Sequence, residues 1–216
     1  MKFAMSYSGG KDSAFALHRA VESGHTTTLL ITTYNADQER SWFHGIPSEL
    51  LGRVSEALGI PIKTVVTRPS DDYGLDLEAA LREEKSGRGI DACVFGDIDI
   101  EAHRKWCRER CANVDIEALF PLWNGDRRAL TDELISLGFK AMITIVDTKA
   151  LPAEFLGKTL TPEVVSAIEG CGADACGENG EYHTFVYDGP VFTKPVEFRV
   201  GERTHSGDYA ILPVLP

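Results

Sequence analysis

Residues 5–14, Met-Ser-Tyr-Ser-Gly-Gly-Lys-Asp-Ser-Ala, join two different periodicities through a pair of glycines. Before them, Lys2 to Tyr7 alternates apolar and small residues over the length of a short buried strand. After them, Phe15, Leu17, Ala20 and Val21 recur at helical spacing within Ser13 to Ser23, and Gly24 stops the pattern. The turn between is Ser8-Gly9-Gly10-Lys11-Asp12-Ser13. Consecutive glycines let a backbone turn tightly with its N–H groups aimed outward, and the start of the next helix adds unpaired N–H groups and a positive dipole end. An anion is favoured there, and Ser8 to Ser13 are the expected phosphate cradle. Its spacing is neither G-x-x-x-x-G-K-[ST] nor G-x-G-x-x-G.

Outward from this turn, strand and helix patterns alternate. A second strand is expected at Thr28 to Tyr34, a helix at Ser48 to Leu58 with Ser48 as N-cap and Gly59 closing it, and a third strand at Ile60 to Thr67. A helix at Asp71 to Arg88 follows, with Leu75, Leu77, Ala80 and Leu81 as its buried stripe. Asp91 to Asp97 reads as a fourth strand. It ends in Gly96 and Asp97, where a carboxylate points into the crevice of an open sheet and the glycine would let a nucleotide come close. A helix runs through Cys111. A fifth strand at Glu117 to Trp123, a helix at Leu130 to Leu137 and a sixth strand at Lys140 to Asp147 complete the alternation. This predicts an α/β fold with a mostly parallel sheet over residues 1–147. From 148 to 216 the pattern changes to short helical pieces, a glycine-rich loop at Gly170 to Gly180, a strand at Glu181 to Tyr187 and an antiparallel tail turning at Ser206-Gly207-Asp208. That is a smaller C-terminal α+β region. The loop Asn35 to Pro47 carries Trp42, Phe43 and His44; the first two are expected to form a lid or to pack beneath it, and His44 to be a surface histidine.

Composition narrows the class. Hydrophobic residues make up 43% and charged ones 25% of the 216, which suits a globular protein. No apolar run approaches the ~20 residues that span a bilayer, and the chain enters a strand with no signal-peptide pattern, so a cytoplasmic location without membrane partners is expected. The net charge of −11 opposes docking on polyanionic RNA, and no direct nucleic-acid partner is expected. Five scattered cysteines, Cys93, Cys107, Cys111, Cys171 and Cys176, are expected to be reduced, their spacing being poor for zinc. Monomer and homo-oligomer both remain open.

A second constellation lies at residues 173–184, where Glu178, Asn179, Glu181 and His183 crowd an irregular segment between glycines. Such a density of acid, amide and imidazole suits a site more than a core. S-G-G-K-D-S at 8–13 resembles the pyrophosphate loop of the ATP pyrophosphatases. Together with G-D-I-D at 96–99, E-x-H-R at 101–104, P-L-W at 121–123, G-E-N-G-E-Y-H-T-F-V at 177–186 and D-G-P at 188–190, it resembles the diphthine–ammonia ligase family nearly end to end. The resemblance implies a HUP-type (Rossmann-like) N-terminal domain that adenylates a carboxylate with ATP, and a C-terminal region that helps accept substrate and ammonia. In eukaryotic and archaeal members that carboxylate belongs to diphthine, a modified histidine of elongation factor 2.

On this reading Ser8, Gly9, Gly10, Lys11, Asp12, Ser13, Gly96 and Asp97 bind the nucleotide. Lys11, whose side chain is expected to point to ligand rather than core, neutralises the leaving group, and Asp12 or Asp97 holds Mg2+. Glu178, Glu181 and His183 jointly bind ammonium and remove its proton. A sulfur transferase of the same superfamily would need a persulfide-carrying cysteine beside the loop, which the cysteine spacing does not offer. A non-catalytic nucleotide-binding protein on the same fold is the other alternative.

Overall fold

The computed structural model describes residues 1–41, 44–67 and 72–216. Trp42, Phe43 and Asp71, to which roles are assigned above, lie outside the described residues.

The chain opens with β1 (Lys2–Ser6), α1 (Lys11–Glu22), β2 (Thr26–Asn35), β3 (Arg40–Ser41), α2 (Ser48–Leu58), β4 (Ile62–Thr67), α3 (Tyr73–Arg88), β5 (Ala92–Val94), α4 (Glu101–Ala112) and β6 (Glu117–Leu119). Five of these strands pair in parallel in the order β4-β2-β1-β5-β6, and β3 adds antiparallel to the end of β2. The α/β class with a mostly parallel sheet is therefore observed. Chain order runs outward from β1 through β2 to β4, then returns to the other side of β1 with β5 and β6. Such a reversal opens a crevice beyond the C-terminal ends of the two strands that flank it, here β1 and β5. Phe3, Ala4 and Met5 are wholly buried because helices cover both faces of β1.

Local chemistry explains the helix ends. Gly59 closes α2 in the left-handed region, φ 66°, which a residue without Cβ adopts freely. Asp72 caps α3 by accepting from the amides of Gly74 and Leu75, and Asp126 caps the helix Arg127–Ser136 through Ala129. Ser48 is the first residue of α2, not its cap; Pro47 holds that position and no side chain caps it. Leu75 and Val21, expected in buried stripes, are exposed, since each lies at the margin of its helix's apolar face.

The remaining elements are α5 (Arg127–Ser136), β7 (Lys140–Asp147), α6 (Pro162–Gly170), β8 (Tyr182–Asp188), β9 (Arg199–Val200), β10 (Thr204–Ser206), β11 (Tyr209–Ile211) and β12 (Val214–Leu215). A second sheet, entirely antiparallel, has the order β10-β11-β7-β8, and β9 pairs with β12. The expected sixth strand of the parallel sheet, β7, thus belongs to the other sheet, and the change of sheet precedes Lys140. An apolar run such as Met142, Ile143, Ile145 and Val146 reports burial and not the identity of its neighbours. One hydrophobic core joins the two parts, taking in Phe3 and Met5 of β1, Phe15 and Leu17 of α1, and Phe185, Val186 and Leu212 of the C-terminal region. Among the described residues no helix is long and apolar enough to cross a membrane.

Candidate active site

The turn after β1 is tied into place from three directions. Gly9 takes φ 88° and its carbonyl accepts from the Val186 amide at 2.9 Å. The Lys11 amide donates to Thr184 Oγ1 at 3.0 Å, and the Gly10 amide to Ser8 Oγ at 3.3 Å. Ser13 Oγ donates to the Gly10 carbonyl at 2.9 Å, which closes the turn on itself. The amides of Gly9, Asp12 and Ser13 are left without a partner among the described residues. Those of Asp12 and Ser13 lie in the first turn of α1, where the helix dipole is positive.

Three glycines fit the turn to its surroundings. A Cβ on Gly9 would lie 2.3 Å from Ile46 Cδ1, and one on Gly10 2.5 Å from His44 Cε1. A Cβ on Gly96 would lie 2.9 Å from the carbonyl carbon of Asp12 and 3.0 Å from the Ser13 nitrogen. Gly96 therefore serves the close approach of the chain after β5 to the start of α1, and it also lines the cavity beside that turn. His44 is not a surface histidine. Its ring packs edge-on against His183 with centroids 5.3 Å apart, and burial, with His183 and Lys11 adding, pushes its pKa down to about 3. His183 is lowered too, by burial first and then Lys11, so both imidazoles are neutral at pH 7.

Lys11 points inward, at 5% exposure, rather than toward solvent. Its ammonium donates to both oxygens of Asp12 at 2.8 and 2.7 Å and stands 5.8 Å over the Tyr182 ring. Burial would lower its pKa, but Asp12, with Cys176 and Tyr182, holds it well above the ordinary value. The helical position that follows the two glycines faces the C-terminal strand, so the lysine is sealed beneath the loop. Cys176 lies beside the loop, its Sγ 3.8 Å from Asp12 Oδ1, against the expectation that no cysteine would. Burial pushes that thiol up to about 11 and keeps it protonated.

A cavity of about 400 Å3 opens on the outer side of the loop, within the range of small-molecule sites. Ser6, Ser8, Asp12 and Ser13 form its floor; Gly96 and Asp97 one wall; Tyr73 and Trp106 another; and Glu178 reaches in from the C-terminal region. Tyr73 and Trp106 stack at 5.1 Å. Asp97 is raised by burial despite His103, whose Nδ1 is 3.4 Å away. Glu178 is raised further, to about 7, by burial and then by Asp12. Three carboxylates thus share a cavity that no lysine or arginine lines among the described residues.

The structure separates the three residues grouped in the C-terminal loop. Glu178 lines the cavity. Glu181 turns back on its own loop: its carboxylate accepts from the amides of Asp174 and Asn179 and from the Asn179 side chain at 3.0–3.2 Å. His183 lies against His44 behind the glycine turn. Sequence reasoning overlooked Arg127, which bridges Asp99, Asp174 and Asn179. Nothing in the local pattern distinguishes it from Arg128, which pairs with Asp132 one turn on.

Asp12 and Asp97 suit Mg2+, which takes one or two carboxylates and fills its remaining positions with phosphate oxygens and water. Among the described residues no three His, Cys, Asp or Glu are grouped to cage a metal by themselves.

Comparison with known proteins places these features in a family. Residues 1–118 match the family model described as the diphthamide synthase N-terminal domain, and residues 126–214 the one described as the diphthamide synthase C-terminal domain. A diphthine–ammonia ligase of Danio rerio is 31% identical over 96% of this chain and 90% of its own. The protein of that name from Homo sapiens is 27% identical over 99% and 89%. A solved structure from Methanocaldococcus jannaschii, described as a predicted subunit of tRNA methyltransferase, is 16% identical and aligns over 91% of this chain and all of its own with a TM-score of 0.48.

Proposed function

This chain belongs to the diphthamide synthase family and is an ATP-dependent ligase, and from that premise we propose that it joins a carboxylate to ammonia through an acyl-adenylate. The acceptor proposed is the carboxylate of diphthine, which the names of its relatives specify, carried on elongation factor 2 as the sequence resemblance implies. The observation that carries the mechanism is the pair of unpartnered amides at Asp12 and Ser13, residues that line a carboxylate-bearing cavity at the switch point of the sheet.

A carboxylate is a poor electrophile until one oxygen becomes part of a good leaving group. In the first step that oxygen attacks the α-phosphorus of ATP; the α–β phosphoanhydride bond breaks and pyrophosphate leaves. The loop amides hold the pyrophosphate, and Lys11 offsets its growing charge from below. Asp12 and Asp97 are the groups that would hold Mg2+, whose charge would neutralise the phosphate oxygens. In the second step ammonia attacks the acyl carbon and AMP leaves with the carboxylate oxygen. Only NH3 is nucleophilic, so ammonium must give up a proton. Glu178 is placed to take it, since its carboxyl lines the cavity and titrates near neutrality. Glu181 shapes the loop that carries Glu178, and His183 with His44 backs the phosphate turn.

Incubation with ATP, Mg2+, ammonium and diphthine-bearing elongation factor 2 should yield AMP, pyrophosphate and amide together. Formation of ADP and phosphate would overturn the adenylation.

A further inference from the structure

Two loops from distant parts of the chain flank the cavity: residues 97–100, which follow β5, and 174–181, which precede β8. Arg127, in the first turn of α5, joins them. Its Nε and Nη2 donate to the two oxygens of Asp99, each at 2.7 Å, in the paired geometry that a guanidinium fork allows. Its Nη1 donates to Asp174 Oδ2 at 2.8 Å and Asn179 Oδ1 at 3.3 Å. Asp174 Oδ2 also accepts the amide of Glu178 at 3.0 Å, and Asp174 Oδ1 the amide of Cys176 at 3.1 Å. One oxygen atom thus receives both the arginine and the backbone of the residue that enters the cavity.

We propose that Arg127 is a positioning residue for ammonia transfer: by fastening loop 174–181 to Asp99 it holds Glu178 over the acyl-adenylate. This rests on the adenylation reading above. The link is specific in kind. A lysine at 127 would supply charge without a fork to span Asp99 and Asp174 together. The neighbouring Arg128 makes as many ion pairs, with Asp132 and Glu169, yet touches neither loop. It is the natural control. The loop's own bonds, from Asp174 and Glu181 to nearby amides, keep it folded locally but do not join it to the nucleotide half.

The test separates the two half-reactions. Acceptor-dependent exchange of labelled pyrophosphate into ATP, measured without ammonium, reports adenylation, and the ratio of amide to AMP with ammonium present reports transfer. Diphthine-bearing elongation factor 2 is the acceptor. For Arg127→Ala, exchange should stay near wild type while amide formation falls by about 10²-fold, the scale of a small misplacement of a reacting group. AMP should then exceed amide, because the adenylate is lost to water. Added guanidinium should restore part of the coupling, and Arg128→Ala should leave it intact. If Arg127→Ala melts well below wild type, Arg127→Lys carries the same comparison. Intact coupling in both Arg127 variants, or an equal loss of both half-reactions in Arg127→Lys, overturns the positioning role. A wild-type protein that releases ADP fails the adenylation reading instead, which keeps the two failures apart.

Discussion

The Lys11 ammonium is sealed between Asp12 and the Tyr182 ring, so its removal takes away a charge that both the loop and the core use. For Lys11→Ala, pyrophosphate release should fall by about 10²-fold. Stability in urea should fall too, by about 1–3 kcal/mol, because the partners inside lose their counter-charge. Near-wild-type turnover would make the lysine purely structural. Glu178 answers to pH. Its carboxyl is held up to about 7, and in the proposed role the ionised form is the base, so at a fixed concentration of free NH3 amide formation should rise as pH passes upward through that value. At a fixed concentration of free NH3, Glu178→Gln should remove that inflection and lower amide formation by about 10²-fold while leaving ATP affinity close to wild type. A mutant profile that keeps the same limb would assign the titration elsewhere. Gly96→Ala places a methyl 2.9 Å from backbone that cannot rotate away, and should cost about 1–3 kcal/mol along with ATP affinity. An unchanged melting curve would show that β5 and α1 have room.

Among the elements, α1 is held by strands of both sheets. β1 delivers it, and β8 receives its first amide through Thr184 and the preceding carbonyl of Gly9 through Val186. Thr184→Val keeps the buried shape and removes the acceptor. It should destabilise the protein by about 1–3 kcal/mol, the cost of a buried amide without a partner, and Thr184→Ser should recover most of that; equal stability of the valine variant would mean that the loop is held otherwise. Elements governed by local pattern were readable in the chain. The strand–Gly-Gly–helix junction and the Gly59 stop follow from periodicity and from backbone freedom near single residues. Pairing between distant strands was not, since β7 carries the same apolar run in whichever sheet it joins. Nor could an irregular segment show that Glu178 enters the cavity while Glu181 turns back on its loop. Arg127 and Arg128 are adjacent and alike in sequence; the fold alone sends one across the cavity and the other along its helix.

Across the whole molecule, the parallel sheet supplies a glycine turn at its switch point, the antiparallel sheet sets β8 against that turn, and Glu178 from the segment before β8 lines the same cavity. The shared core packs residues of both parts together, so the turn after β1 and the segment that carries Glu178 are set on one framework. Among the described residues Asp12, Asp97 and Glu178 line the cavity, and the whole chain carries a net charge of −11. In the proposed mechanism the acceptor's own oxygen ends on AMP. This is tested most directly by supplying diphthine-bearing elongation factor 2 labelled with 18O in the diphthine carboxylate, together with ATP, Mg2+ and ammonium, and weighing the products by mass spectrometry. One labelled oxygen should appear in each AMP and none in pyrophosphate, whereas label in inorganic phosphate, or unlabelled AMP beside newly formed amide, would contradict the mechanism.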